Sequence, residues 1–373
     1  MKNKTQSTLA LTLATAMLAT TAAQANPIVR SFHSVRAAGM GDVRYTTGLF
    51  EENFFANPAR LIRNGEDLFQ LPKISVEAGS ATISSVSAIT KGGDDISKFT
   101  DVVGKPISAR FQMVFPGYYN RSFLGGNWAF AVGMVVATQT AAIVGQNAYI
   151  DPFTVINAGP VITLARKFLE EDRLSVGVNA HAEARGSSGS MIGVVDVLKG
   201  TNLGNAAKGG SSAGYDFDLG VSFRPHWNLG GFEYEVGGAL NNILGGKYNN
   251  VKKNLLASWN NGDPMAVPTS FGAGISATHQ GLPFIDQLTI ALEGTDFGNN
   301  KDGSLFRCLH LGAELTTKKL SFRGGINQGY LAAGFGLDLW VFDLNIATYG
   351  EEMGLNAGTR EDRRYAAQFG FKI

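Results

Sequence analysis

Much of the chain alternates apolar and polar positions with a period of two, the signature of strands rather than helices. In "GYDFDLGVSF", Tyr215, Phe217, Leu219, Val221 and Phe223 share one side, and Asp216, Asp218, Gly220 and Ser222 share the other. "FEYEVGGAL" sets Phe232, Tyr234 and Val236 against Glu233 and Glu235. "LSVGVNAHAEARG" sets Leu174, Val176 and Val178 against Ser175, Asn179, His181, Glu183 and Arg185. In "WAFAVGMVV", Trp128, Phe130, Val132, Met134 and Val136 fall on one face. The pattern predicts about fourteen strands, starting near Ile74, Ile107, Asn127, Phe153, Arg173, Ser212, Phe232, Thr269, Ile285, Leu305, Leu320, Tyr330, Trp340 and Arg363.

Two architectures alternate in this way. A secreted β-sandwich buries its apolar face against a second sheet; a transmembrane barrel turns that face to lipid and its polar face inward. The connections favour the barrel. Those after even-numbered strands are mostly short ("LEEDR", "PHWNLGG", "HQGLPF", "TTKK"), and those after odd-numbered strands are mostly long. That is the outer-membrane pattern, with short turns periplasmic. A tight "QGY" connection near Gly329 breaks the trend. The chain ends on "RRYAAQFGFKI", whose Tyr365, Ala367, Phe369, Phe371 and Ile373 form an apolar stripe running to the last residue. It resembles the signal read by the outer-membrane assembly machinery, which becomes an expected partner. The fold class expected is all-β, a transmembrane antiparallel barrel.

Composition agrees. Charged residues make up 17% of the 373, below the roughly 25% of soluble domains. The 32 basic and 31 acidic residues nearly cancel, so no global field draws the chain to nucleic acid. The single Cys308 excludes an internal disulfide framework. At the start, Lys2 and Lys4 precede an apolar run from Leu9 to Leu18 and then Ala23-Gln24-Ala25, a small-x-small site. A run of about ten residues is too short to span a bilayer, so residues 1–25 are expected to be a cleaved signal peptide.

Between that signal and the first strand, residues 26–70 carry little strand pattern. They hold "SVRAAGMGDV" and "GLFEENFFANPARLI". Gly39, Met40 and Gly41, followed by Glu51 and Glu52 and then by Asn57, Pro58 and Ala59, resemble the N-terminal region of the FadL family, outer-membrane transporters of long-chain fatty acids and other hydrophobic compounds. The likeness extends to PorV-type relatives, which serve protein secretion, and more loosely through fourteen strands to the chain end. It implies that residues 26–70 are a plug inside a barrel of residues 71–373, with Gly39, Gly41, Asn57, Pro58 and Ala59 as plug and gating residues. Phe50, Phe54, Phe55, Leu61 and Ile62 could fill a lumen too wide for wall side chains alone. A short periplasmic tail with a helix over Pro58 to Arg63 is the plainer alternative.

Two long loops carry helical periodicity. Met191, Val194, Val195 and Leu198 recur on one face, as do Tyr248, Val251, Leu255 and Trp259. "DDISKFTDVV" is a shorter echo. Such faces either pack together to cap the barrel or take up an apolar ligand, and the resemblance implies the second. Lys252 and Lys253 suit a carboxylate head group or lipopolysaccharide phosphates equally. Arg110, Gln112, His181, Glu183, Arg185, Asp216, Asp218, Glu233, Glu235, Glu293, His310, Glu314, Arg323 and Asp343 are expected on the lumen side, chiefly paired with one another and with the plug.

No enzyme is expected. "GSSAG" places Ser212 in a G-x-S-x-G match, but a loop enters and a strand leaves, whereas the nucleophile elbow needs a strand and a helix. Cys308 and His310 would share a strand face, which falls short of a zinc site. No metal or cofactor is implied. The expected function is passive uptake of a hydrophobic or amphipathic small molecule, such as a long-chain fatty acid, across the bacterial outer membrane. The alternative is a PorV-like barrel that handles secreted proteins or anchors a surface complex. Outer-membrane lipid and lipopolysaccharide are expected neighbours.

Overall fold

The computed structural model describes residues 28–64, 67–84, 103–124, 127–145, 149–169, 173–188, 191–193, 208–248, 260–261, 263–300 and 303–373. Fourteen long strands dominate it: β1 Leu68–Gly79, β2 Pro106–Phe123, β3 Trp128–Val144, β4 Tyr149–Phe168, β5 Leu174–Ser188, β6 Lys208–Phe223 and β7 Phe232–Asn241, then β8 Ser270–Leu282, β9 Ile285–Phe297, β10 Leu309–Thr316, β11 Leu320–Asn327, β12 Tyr330–Leu339, β13 Phe342–Glu352 and β14 Glu361–Lys372. Each pairs antiparallel with its chain neighbours, and β14 returns to β1 with Ile74 opposite Phe369 and Val76 opposite Ala367. Phe69 and Ile373 exchange backbone hydrogen bonds at 3.2 and 2.9 Å, which seals the seam at the last residue. The sheet is a closed barrel with no free edge.

Burial decides between sandwich and barrel. On β6 the apolar Tyr215, Leu219 and Val221 are exposed, while Asp216, Asp218 and Ser222 are buried. The same inversion holds on β1, where Ile74 and Val76 are exposed and Ser75 and Glu77 buried. A sandwich would show the opposite. An apolar band around a closed barrel is the mark of a membrane span, and the protein is an outer-membrane β-barrel. Aromatic side chains project at the short-turn rim, with Phe284 99% and Trp340 92% exposed, as an interfacial girdle requires. At the same rim the Arg166 guanidinium lies 5.1 Å from the Trp128 ring and 5.0 Å from the Phe168 ring.

The expected strand starts match to within four residues, with two corrections. β1 begins at Leu68, six residues before Ile74, so residues 68–70 belong to the wall and not to the segment before it. Leu305 does not begin a strand: Leu305–Cys308 is a 3-10 turn capped by the Ser304 hydroxyl, and β10 starts at Leu309. Cys308 therefore shares no strand face with His310. Ser212 lies within β6, opposite Arg185 on β5, and not at a strand-to-helix elbow.

A cation placed in the apolar band must lose its water. Leu219→Arg, near the middle of the outward face of β6, is expected to destabilise the barrel by about 2–4 kcal/mol. Phe284→Arg, at an exposed turn, should cost about 1 kcal/mol or less. Urea unfolding in lipid vesicles measures both.

Candidate functional site: the lumen and the segment within it

The inner face of the barrel surrounds residues 28–64. Ala37, Ala38, Met40, Phe54, Asn57 and Ala59 are wholly buried, and side chains of this segment meet inward-facing residues from nearly every part of the wall. Its local structure follows its sequence. Ser34 caps the short helix α1, Val35–Gly39, by accepting from the Ala37 N–H at 3.1 Å. Asn57 caps the 3-10 turn Pro58–Arg63 in the same way, with Pro58 at the first helical position where its missing N–H costs nothing.

Two glycine-lined seats hold the motifs. At Gly39-Met40-Gly41 the wall contributes Gly312 of β10, Gly325 of β11 and Gly334 of β12. A Cβ on Gly312 would lie 2.1 Å from the Met40 carbonyl oxygen, and one on Gly39 2.8 Å from the Gly334 Cα. Gly41 adds a positive φ of 69°. At Asn57-Pro58-Ala59 the wall contributes Gly177 of β5 and Gly220 of β6, where a Cβ would lie 2.5 Å from the Ala59 nitrogen and 2.2 Å from Asn57 Oδ1. The Asn57 amide donates to the Tyr45 and Val221 carbonyls, both at 2.9 Å, tying the segment to itself and to β6.

Charge supplies the rest of the fit. Glu293 of β9 accepts from three successive backbone N–H groups of the segment, Arg44 at 2.7, Tyr45 at 2.9 and Thr46 at 2.7 Å, and from the Thr46 hydroxyl at 2.7 Å. Arg36 pairs with Glu314 of β10 and with Glu52 at 3.0 Å. Arg60 pairs with Glu235 of β7, which also meets Arg224 at 3.0 Å. Glu51 receives Lys73 of β1 at 2.8 Å. Arg110 and Arg364 converge on Glu77 at 3.0 and 2.8 Å beside His33. Buried charges are tolerated only when paired in this way.

Asp42, Asp296 and His310 come close enough to suggest a cation site. Two guanidiniums already compensate both carboxylates: Arg30 lies 2.8 Å from Asp42 and 2.7 Å from Asp296, and Arg44 2.7 and 3.0 Å from the same pair. His310 Nδ1 faces the Gly41 carbonyl at 2.9 Å and so carries a proton there. The cluster is an ion-pair knot. Burial alone would raise the Asp42 carboxyl, but Arg30, Arg44 and His33 outweigh it and hold it well below the usual carboxylate range.

The two ends of the lumen differ. Toward the short turns, a polar cavity of about 590 Å³ opens between the segment and the walls of β7–β13, lined by Arg36, Glu52, Glu235, Glu314, Arg323 and Asp343 among others. Toward the long loops, Val29, Ala141, Ile143, Phe153, Val155, Val267 and Met353 close the mouth as an apolar cluster. Between them Phe54, Leu61 and Ile62 pack on Val114, Tyr119, Ala129, Ala131, Val135 and Val161.

Of the loop residues expected to meet ligand, Met191 is 64% exposed, whereas Tyr248 is buried to 2%. The Tyr248 ring lies over the Arg185 guanidinium at 4.2 Å and fills the space left by Gly214 on β6. Val194, Val195, Leu198, Val251, Leu255 and Trp259 lie outside the described residues, as does nearly all of "DDISKFTDVV". The inner face of β3 departs from the apolar-polar alternation: its Ala129, Ala131, Val135 and Ala137 are buried and apolar. The signal was present: "WAFAVGMVVATQTAAIV" is apolar on both faces, unlike strands with Asp or Glu at every second place.

Gly312→Ala should push Met40 off its seat and cost about 1–3 kcal/mol, read as faster proteolysis of residues 28–64 in an otherwise intact barrel. Asp42→Asn breaks a buried pair and should cost about 3 kcal/mol. Because the Asp42 carboxyl is depressed, its contribution is complete above the ordinary pKa of about 4 and fades as pH falls further. The stability gap between the two proteins, from urea midpoints, should be constant from about pH 8 to 5 and close in stronger acid.

No protein-family model matches the chain, and no curated protein matches it. Among solved structures it is similar to the TodX deltaS2S3 mutant monoaromatic hydrocarbon channel, with a TM-score of 0.53, 10% identity, and 91% of this chain and 97% of that one covered. It is similar to the TodX deltaS2 mutant at 0.50, with 10% identity and 92% and 97% covered. A Pseudomonas aeruginosa FadL homologue is also found, at 0.39 with 10% identity over 93% and 98% of the two chains. At this identity the two TodX likenesses concern the fold alone. The chain shares its fold with the TodX structures, which are described as monoaromatic hydrocarbon channels.

Proposed function

We propose that this protein lets a hydrophobic or amphipathic small molecule cross the bacterial outer membrane passively, with the segment before β1 as the plug that must yield. The observation that carries the reading is the contrast along the lumen. The long-loop mouth is closed by apolar side chains from Val29 to Met353, and beyond the segment lies a polar cavity open toward the short turns. A water-soluble cargo gains nothing from an apolar mouth; an apolar one is drawn to it. The TodX structures, described as monoaromatic hydrocarbon channels, support the same class of cargo. A long-chain fatty acid fits equally, its carboxylate suiting the cationic side chains of the lower cavity.

Gly39, Gly41, Asn57, Pro58 and Ala59 act in this reading as the points where the plug is seated, so gating means lifting it from glycine-lined contacts. The loop faces Met191–Leu198 and Tyr248–Trp259 gather ligand outside, except that buried Tyr248 serves as the anchor of its loop.

The test is a titration of the refolded, delipidated barrel with a fluorescent long-chain fatty acid. Saturable binding, displaced by unlabelled oleate or toluene, is expected. Leu198→Glu combined with Trp259→Glu should weaken it about tenfold, equivalent to about 1.4 kcal/mol. A barrel with intact β-type circular dichroism and no saturable binding would sink the transport reading and favour the protein-handling one.

A further inference from the structure

The walls of the lumen are not chemically uniform. Among the described residues, eight of the fourteen strands carry a buried acidic side chain, for example Glu77 on β1, Asp216 on β6, Glu293 on β9 and Asp362 on β14. Strand β3 carries no charge at all on that face. Its inward side chains are Ala129, Ala131, Val135, Ala137, Ala141 and Ile143, interrupted by Gly133 and by one polar residue, Gln139. The Gln139 amide is already engaged, accepting from the Arg30 N–H at 3.4 Å and donating to the Ile28 carbonyl at 3.1 Å. On the adjoining β4, Phe153, Val155, Val161 and Ala165 continue the same surface without a charge.

This strip belongs to two apolar clusters, one at the long-loop mouth and one reaching the short-turn end. From Ala129 to Ile143 it covers roughly 46 Å of extended strand, at about 3.3 Å per residue. What covers its lower part is the segment's own aromatic and aliphatic side chains, Phe32, Phe54, Leu61 and Ile62, with Phe50 and Phe55 beside them. The alanines leave room for rings to lie flat. The structure thus shows what kind of body this wall accepts: phenyl rings and short alkyl branches.

We propose that the inner face of β3, with its β4 neighbours, is the track along which an apolar ligand descends the lumen, taking the places of the segment's phenyl groups as the segment gives way. The inference rests on the transport reading and adds the route and the ligand's chemistry: a flat ring or alkyl chain travels on β3, and charged groups elsewhere on the wall, such as Lys73 on β1, Glu235 on β7, Glu293 on β9 and Glu314 on β10, hold the segment. No bond is made or broken; one apolar contact replaces another.

Photolabelling tests this without any substitution. Outer-membrane vesicles containing the full mature barrel are loaded with an alkyl diazirine probe, irradiated, and the labelled residues mapped by mass spectrometry. Labels concentrated on Ala131–Ile143 and on the inward positions of β4 are expected. Labels spread over β9–β13 in a protein that does take up the probe would overturn the track and leave transport standing. A protein that takes up no probe would overturn the transport reading and the track with it. A matched pair adds a functional readout: Ala137→Glu should lower probe uptake at least tenfold, and Thr278→Glu, on β8 at the polar cavity, should change it less than twofold. Equal loss in the two would refute the assignment.

Discussion

A closed sheet with its apolar face in lipid must turn its other face inward, and that inner face has to be satisfied without bulk water. Small strands could fill such a space with wall side chains; fourteen enclose too much. Here the answer is residues 28–64, whose backbone donors, arginines and carboxylates meet the wall. The carboxylate of Glu293, collecting three successive segment N–H groups, shows the logic most plainly. A turn that needs donors satisfied and a wall that needs its charge solvated answer each other's requirement.

The pairing also sets how firmly the segment is held. Buried ion pairs contribute modestly once desolvation is counted, but breaking one by removing a partner is expensive. A segment held by several such pairs and by close backbone contacts at Gly312, Gly177 and Gly220 fits one position well and neighbouring positions badly. That combination suits a part that must be either seated or released. The charged walls and the apolar wall of β3 then divide the labour, one holding and the other offering a surface that discriminates little between a phenyl side chain and an apolar guest.

Much of this was legible in the sequence because barrel strands obey a strict period. Every second residue of "GYDFDLGVSF" faces lipid, and the structure keeps that register. The lumen charges were readable for the same reason, and Glu235, Glu293 and Glu314 all point inward. Leu305 misled because an apolar run beside a strand cannot be told from a capped 3-10 turn by pattern alone; the Ser304 hydroxyl decides it. Tyr248 misled in another way. It keeps helical spacing with Val251, yet the cavity left by Gly214 and the face of Arg185, both far away in sequence, draw it inward. The apolar wall is legible in β3 itself, whose two faces lack the contrast that marks strands such as β6. What no local pattern reveals is the pairing of segment and wall, since those partners are set by closure of the whole sheet.

The distances along the chain between those partners carry a consequence for biogenesis. Arg44 and Glu293 are 249 residues apart, and Arg36 and Glu314 are 278 apart. The segment is therefore made long before most of the groups that will neutralise it, and its arginines and carboxylates stay hydrated until β9 and β10 have arrived. Contacts of such long range form late, after the loop-closure entropy of nearly the whole chain has been met. The seam between β1 and β14 is later still, because Phe69 waits for Ile373. The natural order of events is a sheet that curls around an unfinished, water-filled interior, with the lumen drying only as the final strand locks in place.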